Sequence, residues 1–226
     1  MKNQQTPTTA LSHFRLLLTA SLITVVFTSC GQNSSPKTET NDASDAESVI
    51  INGVKWATRN IDKPGTFAPK PDAPGMFYNF NDKTGWSTFE PMINSNGDTK
   101  LNWRFNTGDS WKKTNDPSPA GWRVPTLAEI QTLLDAGKVS SIWTTRNGVP
   151  GRKFTDKQTG QSLFLPAVGY RDEKDATLEQ AGAAGFYWSS TADDAHSAFS
   201  LVFGGGGMAK LSSIGMAWYS VRPVAE

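Results

Sequence analysis

The sequence predicts an α+β fold, and three observations carry that expectation. A capped amphipathic helix follows Pro125, and short apolar runs separated by turn residues recur from Ser162 to Val224. Between Asp62 and Asn115 lies a long aromatic-rich stretch with almost no helical periodicity. The expected parts are therefore small antiparallel sheets, one or two helices and a long loop region around a single core.

Residues 1–29 have the layout of a secretory signal peptide. Lys2 and Arg15 give a basic start, Leu16 to Phe27 is apolar but too short to span a bilayer comfortably, and small Thr28 and Ser29 precede Cys30. A cysteine directly after small residues resembles the bacterial lipobox, which implies cleavage before Cys30, diacylation of its thiol and acylation of the new amino terminus. Three acyl chains exceed the two signals that stable anchoring needs. The alternative is an ordinary signal peptide with a chance cysteine.

Loss of residues 1–29 removes two cations and no acid, so the formal charge moves from +1 to −1. A near-neutral body has no electrostatic footprint for nucleic acid, and no polybasic run would hold it to anionic lipid. Cys30 is the only cysteine, so its lipidation excludes disulfides, thiolate nucleophiles and cysteine metal sites. Residues 30–48 begin Cys30-Gly31-Gln32 and continue in Ser, Thr, Asn, Asp, Glu, Lys and Ala with one proline and nothing large and apolar until Val49, which predicts a disordered lipid-anchored tether. Residues 49–226 are then one domain with one substantial core.

Val49–Ile51, Asn52-Gly53 and Val54–Ala57 predict a hairpin around an Asn-Gly turn. Thr126 and Glu129 form a capping box, with Leu127, Ile130, Leu133 and Leu134 on one helical face and Gly137 placed to end the helix. Strands are expected at Ser162–Pro166, Gly185–Ser190, Ser197–Phe203, Met208–Leu211 and Ala217–Val224. Gly204–Gly207 reads as a hairpin connection, since no helix and no Lys-Ser/Thr follows to make a phosphate loop.

Five strings extend this reading: Asn52–Asn60, Asn115–Thr126, Leu163–Arg171, Tyr187–Thr191 and Ser220–Val224. In order, across about residues 50–225, they resemble the major paralogous domain first noted in Fibrobacter succinogenes and abundant in Bacteroidetes lipoproteins. Trp-Arg-Val-Pro-Thr and Tyr-Trp-Ser-Ser-Thr also look like the C-terminal domain of Legionella collagen-like adhesins. The resemblance implies a relation to C-type-lectin-like domains, with two small sheets, flanking helices and a long irregular loop region. Ser118 departs from the family, which often has cysteine there. The address implied is an outer-membrane lipoprotein, periplasmic or surface-exposed.

Catalysis finds little material. His196 is the only histidine of the mature chain, Ser189 and Ser190 lack the Gly-x-Ser-x-Gly elbow, and the carboxylates sit in polar turns where solvation is the natural reading. The related formylglycine-generating enzymes use cysteines that this chain lacks. Asn94–Asp98 and Asp172–Asp175 are short acidic or amide clusters without EF-hand spacing, and Glu90-Pro-Met92 only partly echoes a sugar-binding lectin signature. No metal and no cofactor is implied.

The aromatics remain. Trp56, Trp122, Trp143, Trp188 and Trp218 lie in apolar strings that predict burial, and Arg123 and Arg222 are expected to be structural. Trp86, Trp103 and Trp111 sit among polar residues in expected loops, with Asn102, Arg104 and Asp109 as neighbouring polar groups. An exposed indole beside such groups can stack on a sugar ring and bond its hydroxyls; alternatively these rings pin the loop to the body. Three functions follow: a lipid-anchored, non-catalytic adhesion module for glycan or another surface ligand; an envelope or fimbrial assembly protein that binds protein; and, least supported, an enzyme.

Overall fold

The computed structural model describes residues 47–100, 110–194, 196–207, 209–214 and 217–226, all within the compact unit Thr40–Glu226. The signal-peptide and Cys30 readings, and all of the tether before Glu47, lie outside the described residues.

Strand β1 (Ser48–Ile51) and β2 (Val54–Ala57) pair antiparallel with Ile51 opposite Val54. Asn52 and Gly53 between them both have positive φ, 46° and 82°, the backbone that a two-residue hairpin turn requires. The stretch read as irregular contains a second hairpin, β3 (Met76–Tyr78) and β4 (Gly85–Ser87), with Phe77 opposite Trp86. Three-residue strands carry too little alternation to reveal themselves, and β3 is held in place by a partner far along the chain. Trp86 is therefore a strand residue rather than a loop residue.

After β5 (Trp122–Arg123) comes α1 (Leu127–Leu133), the one α-helix among the described residues. Its capping box is complete: Glu129 N–H donates to Thr126 Oγ1, and Thr126 N–H donates to a Glu129 carboxylate oxygen. The helix stops at Leu133 with Leu134 as cap, earlier than the Gly137 expected to end it. Gly137 instead sits in the Asp135 turn, donating to that carboxylate.

β6 (Val139–Arg146) and β7 (Val149–Asp156) form a long hairpin that the sequence reading missed, although Asn147-Gly148 is again an Asn-Gly turn with both φ positive. β8 (Ser162–Pro166) completes a three-stranded meander on β7, with the bounds expected. β9 (Tyr170–Arg171) and β10 (Leu178–Glu179) pair separately. β11 (Ala184–Ala192), β12 (Ala198–Gly204) and β13 (Lys210–Ile214) follow, with the glycines after β12 in the connecting turn. The strand expected over Ala217–Val224 divides into β14 (Tyr219–Ser220) and β15 (Val224–Ala225), because its two ends join different sheets.

The main sheet runs β13-β12-β11-β14-β3-β4, antiparallel apart from the β11–β14 pair. A second sheet, β1-β2-β15-β5, ties both ends of the described chain together. The architecture is small antiparallel and mixed sheets with one short helix, a strand-dominated α+β arrangement without a barrel. Alternation along β11 sorts its side chains into two cores. Tyr187 joins Trp56, Ile130, Leu133, Phe154 and Phe203, whereas Phe186 and Trp188 join Tyr78, Tyr219 and Val221. Trp56, Trp188 and Trp218 are buried as expected; Trp122 and Trp143 are only half-buried.

Ile130 and Leu133 are the buried residues of α1, so the helix docks through the expected face. Leu133→Ala should cost about 2–5 kcal/mol in urea unfolding. A variant with an unchanged midpoint would show that the face is not packed as described.

Candidate functional site

The segment Asn115–Thr126 folds into one wall of an open cleft because its polar groups are used locally. Asp116 accepts Ser118 N–H at 2.8 Å on one oxygen and Val124 N–H at 2.9 Å on the other. Trp122 N–H donates to Pro119 O, and Gly65 N–H reaches Pro117 O. Arg123 meets Glu129 as a two-pronged fork at 2.8 and 2.6 Å, which locks β5 to the helix start. The end of β11 forms the floor: Trp111 N–H donates to Ser190 O, and Ser190 N–H donates to Pro125 O.

The cleft encloses about 590 Å³, within the usual range of small-molecule sites. Trp111 and Trp122 supply its aromatic surface, and Lys83, Lys113, Ser118 and Glu226 its polar groups. Lys113 and Glu226 pair at 3.1 Å at the rim, where both are largely exposed. Phe67 braces Trp122 edge-on at 5.6 Å, and Phe80 braces Trp111 at 5.3 Å. Ser118 Oγ is buried and has no hydrogen-bond partner among the described residues. A hydroxyl in that state awaits a donor or acceptor.

Of the sequence-selected aromatics, the two described ones, Trp86 and Trp111, belong to different cores. Trp86, 5% exposed, packs with Phe77, Val168 and Trp218 and turns no ring face to solvent, so it cannot serve as the stacking surface assigned to it. Trp111, 7% exposed, belongs to a different core and donates its indole N–H to Asn115 O at 2.9 Å. Only an edge of that ring reaches the cleft. Asn102, Trp103, Arg104 and Asp109 lie outside the described residues; the chain after them re-enters at Ser110, bridged to Thr191 beside the cleft.

Three residues went unrecognised. Trp122 was assigned to the core because its neighbours are apolar, and Ser118 was read only as a missing cysteine. Phe89 is 63% exposed on a loop between β4 and Asn94, where loop aromatics were sought but tryptophan was favoured. Of the expected structural arginines, Arg123 is paired to Glu129, and fully buried Arg222 donates to Asn60 Oδ1 at 2.8 Å. Burial draws the Arg222 guanidinium down to about 10, with the nearby Tyr187 opposing the shift. Burial pushes the Tyr187 phenol up to about 12.

Among the described residues no group of three or more His, Cys, Asp or Glu side chains gathers to hold a metal. Asp172 and Asp175 accept backbone amides of their own turn, from Lys174 and Thr177. The cleft carboxylates are likewise occupied, Asp116 by amides and Glu226 by Lys113. No family model, no curated protein and no solved structure matches the chain.

Of the five described carboxylates held below their ordinary values, Glu90, Glu129, Asp156, Asp175 and Asp194, two join distant parts of the fold or secure its helix. Asp156 is held below its ordinary value by the amides of Thr159, Asn52 and Gln158, so it joins the β7–β8 turn to the first hairpin. Burial alone would raise Glu129, but Arg123 and Thr126 outweigh it and leave the net shift downward. Both contributions are complete above the ordinary carboxylate range of about 4 and are lost as pH falls through the depressed values. Thermal melts should hold level to about pH 5 and drop steeply below about pH 4, and Asp156→Asn should flatten that drop. A variant with an undiminished acid slope would assign it elsewhere.

Proposed function

We propose that this is an exported, non-catalytic binding protein, anchored through acylated Cys30 in the outer membrane, which takes a saccharide or similar surface ligand in the Trp111–Trp122 cleft. Its domain is, in this reading, a C-type-lectin-like member of the Fibrobacter succinogenes major paralogous family. Support for the fold comes from the small sheets, the single helix and the loop-rich stretch between β2 and β5. The observation that carries the function is the half-buried indole of Trp122 in an open cleft with exposed Lys83 and Lys113. A sugar can lay its C–H face on such a ring while its hydroxyl oxygens accept from the ammonium groups. Asn102, Trp103, Arg104 and Asp109 are kept as candidate contacts on the sequence argument alone. Each site binds modestly, and many membrane-bound copies add avidity.

A glycan array probed with the full chain in detergent, with and without a calcium chelator, tests this reading. Trp122→Ala should lose the glycans that wild type binds while folding as before. Equal binding by the two proteins would remove the cleft from consideration. Cys30→Ala should lose palmitate-analogue labelling and leave the membrane fraction; continued labelling would refute the anchor.

The assembly-protein alternative draws on Phe89. Its loop displays a large apolar ring to solvent on a rigid base, as a protein-binding anchor does. Under that reading Phe89→Ser abolishes partner recovery and leaves the cleft unaffected.

A further inference from the structure

A second cavity, of about 420 Å³, opens among Arg59, the Lys70–Asp72 turn and the Arg146-Asn147 end of the β6–β7 hairpin, with Glu47 at its edge. It shares no lining residue with the Trp111–Trp122 cleft. We propose that this cavity binds a small ligand carrying one carboxylate beside a hydrogen-bond donor, the chemistry shared by hexuronic acids and free α-amino acids.

The lining supplies both halves of that chemistry. Asp72 Oδ2 lies 3.4 Å from Asn147 Nδ2, but Asp72 Oδ1 is buried and no group among the described residues donates to it. Buried carboxylate oxygens are costly to leave unmatched, and here the cations of the same cavity do not match it. A hydroxyl or ammonium of a ligand would. For the carboxylate, Arg59 lies over the Phe67 ring at 5.1 Å. A guanidinium held by an aromatic ring keeps its charge and its N–H donors, which are what recognise a carboxylate. Lys70 and Arg146 add positive charge to the same lining.

The ground behind the cavity is also cationic. Buried Arg222 is paired with neutral groups, Asn60 and the Ala57 carbonyl, and its Nη2 has no acceptor in hydrogen-bonding geometry. Burial lowers its proton affinity first, and the like charges of Arg146 and Arg59 lower it further. An anion at the cavity mouth would relieve that repulsion. A purely anionic ligand would leave Asp72 Oδ1 unmatched and face its charge, so a donor next to the carboxylate is part of the specification.

Isothermal titration of the full chain in detergent with galacturonate, alanine, acetate and galactose separates these requirements. Galacturonate or alanine should bind at least about tenfold more tightly than acetate and galactose, and whichever does so identifies the source of the chemistry. Arg59→Gln and Asp72→Asn should each erase that advantage, while Trp122→Ala, in the other cleft, should keep it. Lys70→Gln, at an exposed residue, gives the same comparison for the cationic half should Arg59→Gln fold poorly. The proposal is overturned if none of the four binds, if acetate binds as well as both dual-function probes, or if the folded variants bind like wild type.

Discussion

Replacing Arg171 by methionine should destabilise the protein by about 3–5 kcal/mol. The guanidinium, 1% exposed, reaches three backbone carbonyls: Ser87 O at 2.8 Å, Phe89 O at 2.8 Å and Ala176 O at 2.7 Å. It thereby ties the end of β4 and the Phe89 loop to the turn before β10. Methionine fills similar space but donates nothing, so buried carbonyls lose their donor all at once. The fourth contact, to Glu90 at 2.8 Å, is a different matter because that carboxylate is 66% exposed. Water can replace the pairing there, so Glu90→Gln should stay close to wild type in urea unfolding. The contrast is the test. Were Glu90→Gln to cost as much as Arg171→Met, the ion pair rather than the carbonyl clamp would hold the loop.

Arg171 also shows where sequence reasoning stops. It stood at the end of one of the family-like strings, with nothing nearby to announce its three carbonyl partners, which come from 5 to 84 residues away. Local signals did well where the physics is local. Asn52-Gly53 needs positive φ, and Thr126 and Glu129 satisfy each other's amides within one turn, so both elements could be read directly. The same Asn-Gly signal at Asn147 was passed over because the flanking strands are rich in Ser, Thr, Lys and Arg and show little apolar alternation.

The candidate cleft was harder. Its walls come from Lys83, from Trp111 to Thr126, from Ser190 and from the terminal Glu226, which only the sheet order brings together. Trp86 and Trp122 changed places relative to expectation for one reason. A polar neighbourhood in sequence does not keep a tryptophan exposed when β14 pairs with β3 and closes over it, and an apolar neighbourhood does not bury one at the end of an edge strand. Exposure was decided by pairing partners more than a hundred residues distant.

Trp188→Ala should be the other severe substitution, at about 3–5 kcal/mol. The ring is 1% exposed, sits 4.4 Å from the Tyr219 centroid and meets Phe80 edge-on at 5.8 Å. Truncation opens a large void in the core that supports Trp111 and hence the cleft floor. It also removes the indole N–H that donates to Tyr78 O at 2.8 Å across the main sheet. Trp188→Phe separates the two losses, since it keeps most of the stacking area but leaves Tyr78 O without its donor. That variant should cost about 1–3 kcal/mol, clearly less than alanine. The cleft should follow the same order: weakened ligand binding in Trp188→Ala even where the protein remains folded, and near-normal binding in Trp188→Phe. Equal losses in the two variants would mean that the hydrogen bond, and not the packed ring, secures the strand beneath the site.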